Sequence, residues 1–294
     1  MLLAFALIES MNSNESKPPR QLRQIAAGSD STSMKLRRRL GLSVIVVLSL
    51  SFGLSIADAS LKSSAGQGQS WRTAPRHSAG IAPDPVEQTA TAIVQVYTAS
   101  TYGWRGLFAE HPWIIYKRSG ETAFTRYDVV GWRGNAVVQR DYALPDGLWY
   151  GARPRMLVDH RGDGVDAMIS AIEMAIKNYP YAETYRSYPG PNSNTFLAHI
   201  GREVPALRLD LPANAIGKDY RSLSRPLGLS ASGRGFQVSL LGLVGLRVGL
   251  EEGVEMNVLG INFGVDLNSP GLRLPFVGRL GMDDTTISRT AVRQ

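Results

Sequence analysis

Cysteine is absent from the 294-residue chain, and that absence removes several chemistries at once. No disulfide, thiolate metal site, thiol nucleophile or cysteine-borne lipid anchor can exist. Histidine is scarce: His77, His111, His160 and His199 are the only four. None falls in an HExxH-type spacing, so no zinc site is expected. A strong charge excess is missing too. The net charge is +7, but of 32 basic and 25 acidic residues seven and four lie before residue 60, leaving 25 against 21 downstream. With no basic run interleaved with aromatics, that balance argues against nucleic acid as a partner. No cofactor fingerprint is present, and no cofactor is expected.

One long apolar run does occur. Met34 opens a basic stretch, Lys35-Leu-Arg-Arg-Arg39, followed by seventeen residues from Leu40 to Ile56 and the small-x-small triplet Ala57-Asp58-Ala59. This is the pattern of an export signal, slightly long for one and slightly short for a membrane span. Residues 34–59 are therefore read as a signal peptide or membrane anchor, with residues 40–56 as the means of membrane attachment. Residues 1–33 are read as a mis-assigned N-terminal extension. Export places the rest in the periplasm, free or anchored to the inner membrane. Residues 60–90, rich in Ser, Gly, Gln and Pro, read as a linker whose second half lies on the folded body.

Beyond the linker the signals alternate between strand and helix. Ala92–Tyr97 is β-branched and reads as the first strand. Gly106–Lys117 and Thr122–Val130 read as a hairpin turning on Ser119-Gly120. Short strands are expected at 136–140 and 155–159. Val165, Met168, Ile169, Ile172, Ile176 and Tyr179 fall on one face of a helix, with Asp163 as its expected cap and Tyr179-Pro180 as its end. A Pro-Gly-Pro elbow then runs into Asn192-Ser-Asn-Thr195 and opens a second helix that Pro205 stops. Phe236–Leu250 and Val254–Leu267 read as two long β runs flanking Glu251-Glu-Gly253, with bulges or close backbone approach at Gly242, Gly245 and Gly260. Residues 283–294 are polar and read as a disordered tail. The fold class is α+β: a core domain over 91–204 and a β-rich extension over 205–282 packed on it.

A hydroxyl at a helix N-terminus sits where backbone N–H groups point outward unpaired. Ser193 is therefore a candidate nucleophile. If the hairpin turns symmetrically on Ser119-Gly120, paired positions sum to 239, and His111 faces Asp128 across it. A carboxylate beside an imidazole fixes its tautomer, so His111 is the candidate base and Asp128 its orienting partner. Backbone N–H groups near Ser193, with the amides of Asn192 and Asn194, would hold an oxyanion. Such a trio suits acyl transfer or amide hydrolysis.

Each residue also has a plainer role. Ser193 or Asn192 serves as an N-cap. His111 is an ordinary strand-end histidine, and Asp128 pairs with Arg126 or Arg133 at the surface. His199 is a satisfied, partly buried histidine. Arg202, Lys218 and Asp219 form a structural ionic cluster. Trp104, Trp113, Trp132, Tyr181 and Tyr185 line a groove or pack in the core and rim.

Several stretches together resemble a bacterial family of unknown function, DUF3750: Ser78-Ala-Gly-Ile-Ala-Pro-Asp-Pro85, His111-Pro-Trp-Ile114, Thr125-Arg-Tyr-Asp-Val-Val-Gly-Trp132, Tyr179-Pro-Tyr-Ala182, Gly190-Pro-Asn-Ser-Asn-Thr-Phe196 and Ala215-Ile-Gly-Lys-Asp-Tyr220. The resemblance spans about residues 71–282 and implies no activity. A second similarity is to circularly permuted papain-like amidases and acyltransferases. In those, a histidine on an early strand precedes an Asn-Cys-x-x-Phe-like helix start, and Ser193 stands here where the cysteine belongs. It implies a papain-like mixed sheet-and-helix core and a serine-dependent hydrolase or acyltransferase of the cell envelope, acting on a peptide, amide or lipid acyl group. The alternative is a non-catalytic envelope domain that binds a ligand or serves a structural role, including membrane contact through the 236–267 hairpin.

Overall fold

The computed structural model describes residues 70–282 apart from positions 108, 135, 267 and 268, together with part of the stretch 34–57. The N-terminal extension 1–33, the first part of the linker and the tail 283–294 lie outside the described residues. Described positions between 34 and 57 are helical, and no helix among the described residues is long and apolar enough to cross a membrane. Two compact units divide the chain, Met1–Leu50 and Ser51–Gln294. All that follows concerns the second.

The architecture is α+β. Five antiparallel strands form the first sheet: β1 (Ile93–Ser100), β2 (Glu110–Lys117), β3 (Thr125–Val129), β4 (Val138–Arg140) and β5 (Arg155–Arg161), in the order β4-β3-β2-β1-β5. Both faces are covered. On one, Val94, Val96 and Ile114 pack against Ile169 and Ile172 of helix α1 (Val165–Lys177) and Phe196, Leu197 and Ile200 of helix α2 (Ser193–Glu203). On the other, Tyr97, Trp113, Ile115 and Val130 pack under Trp149 and the chain around Ile81 and Ala82. Adjacent strand residues point to opposite faces, so the run from His111 to Lys117 is buried throughout. Removing each fully buried isoleucine from water contributes roughly 1.5–3 kcal/mol. Residues 78–82 are tied down by Asp146, which accepts from Ser78 Oγ at 2.7 Å and from the Ile81 and Ala82 amides at 2.7 and 3.1 Å.

Two local expectations are corrected. Asp163 does not cap α1. Gly164, at φ 78°, is the N-cap and supplies no side chain, while Asp166 turns outward to accept from Ser119 Oγ at 2.5 Å. The β2–β3 hairpin does not turn symmetrically on Ser119-Gly120. A tight turn at 118–121, closed by Glu121 N–H to Arg118 O at 3.1 Å, is followed by residues 122–124 before β3 begins. The register therefore pairs Ile114 with Tyr127 and Ile115 with Arg126, two residues away from the expected pairing.

The second sheet has seven antiparallel strands in sequence order: β6 (Leu227–Leu229), β7 (Gly235–Leu240), β8 (Val244–Gly249), β9 (Gly253–Val258), β10 (Ile261–Asp266), β11 (Gly271–Leu274) and β12 (Gly278–Gly281). Each long β run expected over 236–267 folds back on itself. Val258 and Ile261 are joined by Leu259-Gly260, both at positive φ (52° and 75°), in the two-residue turn that usually carries Asn-Gly. Gly242 likewise sits in a turn at φ 70°. At Gly245 a Cβ would lie 2.6 Å from the Val238 carbonyl, the expected close approach.

The polarity of this sheet is inverted. Gln237, Ser239, Arg247, Glu255, Asn257, Asn262, Asp266 and Arg273 are buried on its inward face. Their charges are paired: Lys218 Nζ reaches Glu255 at 2.6 Å and Asp219 at 3.1 Å, Arg247 reaches Glu255 at 2.5 Å, and Arg273 holds Asp210. The alternate positions, Phe236, Leu240, Leu246, Met256 and Leu272 among them, are apolar and about half exposed.

Candidate functional site

His111, near the start of β2, and Asp128, on β3, lie on the same face of the first sheet. The register shift of two residues preserves the face, so they meet as diagonal neighbours, Nε2 to Oδ1 at 3.1 Å. Both are buried. Asp128 is held more firmly by Arg126, whose Nε reaches Oδ2 at 2.7 Å and Nη2 reaches Oδ1 at 2.8 Å. Arg126 Nη1 donates to the Leu144 carbonyl at 2.6 Å, and the guanidinium lies 4.1 Å over the Trp113 ring. The His111 ring stacks on Trp149 with centroids 3.6 Å apart and planes 5° from parallel. Sequence reasoning placed the Arg126–Asp128 pair at the surface. Its burial follows from its position on the face covered by Trp149.

Burial would raise the Asp128 pKa, but Arg126 and His111 outweigh it and hold the carboxyl below its ordinary range. Burial pushes His111 below its ordinary value, outweighing the Asp128 contact that favours its charged form. A neutral imidazole facing a carboxylate donates through Nε2–H, which leaves Nδ1 as its acceptor. This is the orienting half of a general base.

Ser193 reaches the site from a different element. It is the first residue of α2, and the helix's apolar side chains belong to the core on the face opposite His111. Ser193 is buried and makes no hydrogen bond to His111 among the described residues. The cap is Asn192. Its Oδ1 accepts from the Asn194 and Thr195 amides at 2.9 and 3.2 Å, and Thr195 Oγ1 accepts from the Asn192 amide at 3.0 Å, a complete capping box.

Both amide groups expected to hold an oxyanion are committed. Asn192 Nδ2 donates to Ser187 O and Ile216 O at 3.1 and 2.9 Å. Asn194 Nδ2 donates to Glu110 O and Ile216 O at 3.1 and 2.8 Å. Thr195 Oγ1 donates to Gly217 O at 2.7 Å, and a Cβ at Gly217 would lie 2.4 Å from Asn192 Nδ2. The Gly190–Phe196 and Ala215–Tyr220 stretches, both singled out in the sequence, are thus two halves of one interlock.

The remaining candidates sort cleanly. His199 Nε2 bonds the Ala175 carbonyl at 3.0 Å. Lys218 and Asp219 join the ionic network under the second sheet, whereas Arg202 makes no ion pair among the described residues. No cluster of three or more His, Asp or Glu side chains suited to a metal occurs among the described residues.

Residues 91–220 match the model of a family described as protein of unknown function, DUF3750. No curated protein and no solved structure matches the chain, so the papain-like likeness rests on motif order alone.

Proposed function

We propose that this chain, a DUF3750 segment continued by a polar-cored sheet, is an exported, non-catalytic envelope protein that docks on a phospholipid surface through that sheet's apolar face. One observation carries it. Every strand of the second sheet places apolar side chains outward over a polar, ion-paired inward face, and thirteen of those outward residues are at least 39 % exposed. Together they form a patch on the order of 1,000 Å², beyond the 300–600 Å² that is the largest on a typical monomer. Apolar-out, polar-in alternation is the pattern of strands that face lipid.

The hairpin tips favour lipid over a second copy of the chain. Leu250 and Leu259, at opposite ends of the sheet, are 66 % and 62 % exposed. Face-to-face pairing of two sheets would leave these tips in water, whereas a bilayer interface takes them in. Strands of six residues fall short of the roughly 9–11 needed to cross a bilayer, so the sheet lies in the interface.

Vesicle flotation tests this with the chain lacking residues 1–59, which removes the apolar run 40–56. The wild type is expected to float with vesicles of phosphatidylethanolamine and phosphatidylglycerol. The double variant Leu246→Asp, Met256→Asp should stay at the bottom with an unchanged melting curve. A wild type that ignores vesicles, or a stable dimer dissociated by the same substitutions, would replace lipid by another occupant.

The His111–Asp128 contact favours one alternative, a serine-dependent hydrolase or acyltransferase on a peptide, amide or lipid acyl group. Against it stand the lack of a Ser193–His111 hydrogen bond among the described residues and the committed Asn192 and Asn194 amides. Equal labelling of wild type and Ser193→Ala by an activated serine probe would end it.

A further inference from the structure

Where α2 ends, a cavity of about 680 Å³ opens beside the edge strand β6, lined by Tyr181, His199, Arg202, Tyr220, Arg221 and Leu229 among others. Three arginines line it, Arg202, Arg221 and Arg225, and none has a carboxylate partner among the described residues. Arg202, in the last turn of α2, makes no hydrogen bond there, and its Nη1 is shut off from solvent. The hydroxyl of Tyr179, which feels the Arg202 charge, is a second buried group without a partner.

Arg221 is positioned by backbone alone. Nε donates to Arg225 O at 3.0 Å, Nη2 to Leu227 O at 2.7 Å and Nη1 to Leu229 O at 3.4 Å. It folds over Gly228, where a Cβ would lie 2.3 Å from Nη2. Carbonyls satisfy these donors without neutralising the charge, and one N–H on each Nη stays uncommitted.

Two guanidinium charges facing one cavity with no carboxylate between them repel one another. Burial, with the Arg221 charge next in weight, pushes the Arg202 pKa down to about 10. The acidic groups nearby do not relieve it. Asp219 is taken by Lys218 and Arg247, and Glu203 lines the cavity without pairing with either arginine.

We propose that this cavity is an anion site in which Arg202 and Arg221 bind a phosphate group. Phosphate supplies the several acceptor oxygens that planar, forked guanidinium donors match. The group is either free phosphate or the headgroup of a phospholipid, since Leu229 belongs both to the cavity and to the apolar face. The site stands whether or not the sheet meets a bilayer.

Thermal unfolding at constant ionic strength, with chloride as the control anion, reads the site in the full chain. Inorganic phosphate and a short-chain phosphatidylglycerol below its micelle threshold are the two probes. Saturable stabilisation by either supports the site, and the effective probe identifies the source. Arg202→Met should melt higher than wild type without probe, because it removes an unpaired charge beside Arg221, and should bind the probe about tenfold more weakly or worse. Arg202→Lys should retain part of the response. A wild type stabilised by neither probe, or stabilised equally in Arg202→Met, would overturn the site.

Discussion

The two sheets of this molecule solve opposite problems. The first packs apolar side chains on both faces and hides a charged constellation, Arg126–Asp128–His111, beneath tryptophan. The second turns its charges inward, pairs them, and leaves its apolar side chains outside. Burial of aliphatic surface holds the first together. Ion pairs and hydrogen bonds hold the second to the segment 208–219, which fixes geometry more than it adds stability, since buried pairs recover little beyond their desolvation cost. A sheet anchored by its polar face keeps its apolar face free for a partner. That difference separates the part of the chain that maintains the fold from the part available for contact.

The comparison breaks first at Asp128. Asp128→Ala would strand the buried Arg126 charge and should cost about 3–5 kcal/mol, read from denaturant unfolding. Ile114→Ala in the first sheet should cost about 2–5 kcal/mol, whereas Leu246→Ala on the outer face of the second should stay within about 0.5 kcal/mol. Near-equal losses at the two positions would mean that the outer face is covered in solution.

Next in size is a pH effect confined to the first sheet. His111 is neutral when folded and regains its ordinary affinity for protons when unfolded. Its contribution is present above about pH 6.5, the unfolded value, and is lost as pH falls toward the depressed folded value. Asp128 acts in the same direction lower down. Its contribution is present above about pH 4, the unfolded value, and is lost as pH falls further through the folded value. Unfolding midpoints measured across this range should fall with acidity, and His111→Gln should flatten the upper part of the curve.

The smallest effects separate cap from neighbour. Asn192→Ala should cost about 1 kcal/mol or more through the lost cap. Ser193→Ala should cost less than the loss of the cap, since the Ser193 hydroxyl makes no cap hydrogen bond. A reversed order in chemical denaturation would restore Ser193 as the residue that matters there.

How much of this was legible in the sequence depends on the kind of signal. Both helices of the core were readable from apolar spacing, and the Asn192 turn from its cap chemistry. The β2–β3 register was not, because residues 118–124 form an asymmetric loop. A slip of two still kept His111 and Asp128 on one face, whereas a slip of one would have parted them. The face on which α2 packs was illegible for a different reason. β2 is buried on both sides, so its continuous apolar run carries no alternation to mark the helix side. In the second sheet alternation was plain, but alternation alone does not say which side meets water. The unpaired state of Arg202 was invisible too, since its lack of a partner depends on how Asp219 is shared.

The interlock at Ile216–Asp219 has a consequence for where this molecule can be cut. On one side the strip receives Asn192, Asn194 and Thr195. On the other, Lys218 and Asp219 reach Glu255 and Arg247. The family match stops at residue 220, immediately after the strip. A fragment ending there would keep Lys218 and lose Glu255, its stronger carboxylate contact. The edge of the family match therefore cuts through a buried ionic contact, and a fragment ending there is expected to lose stability relative to one that keeps the second sheet.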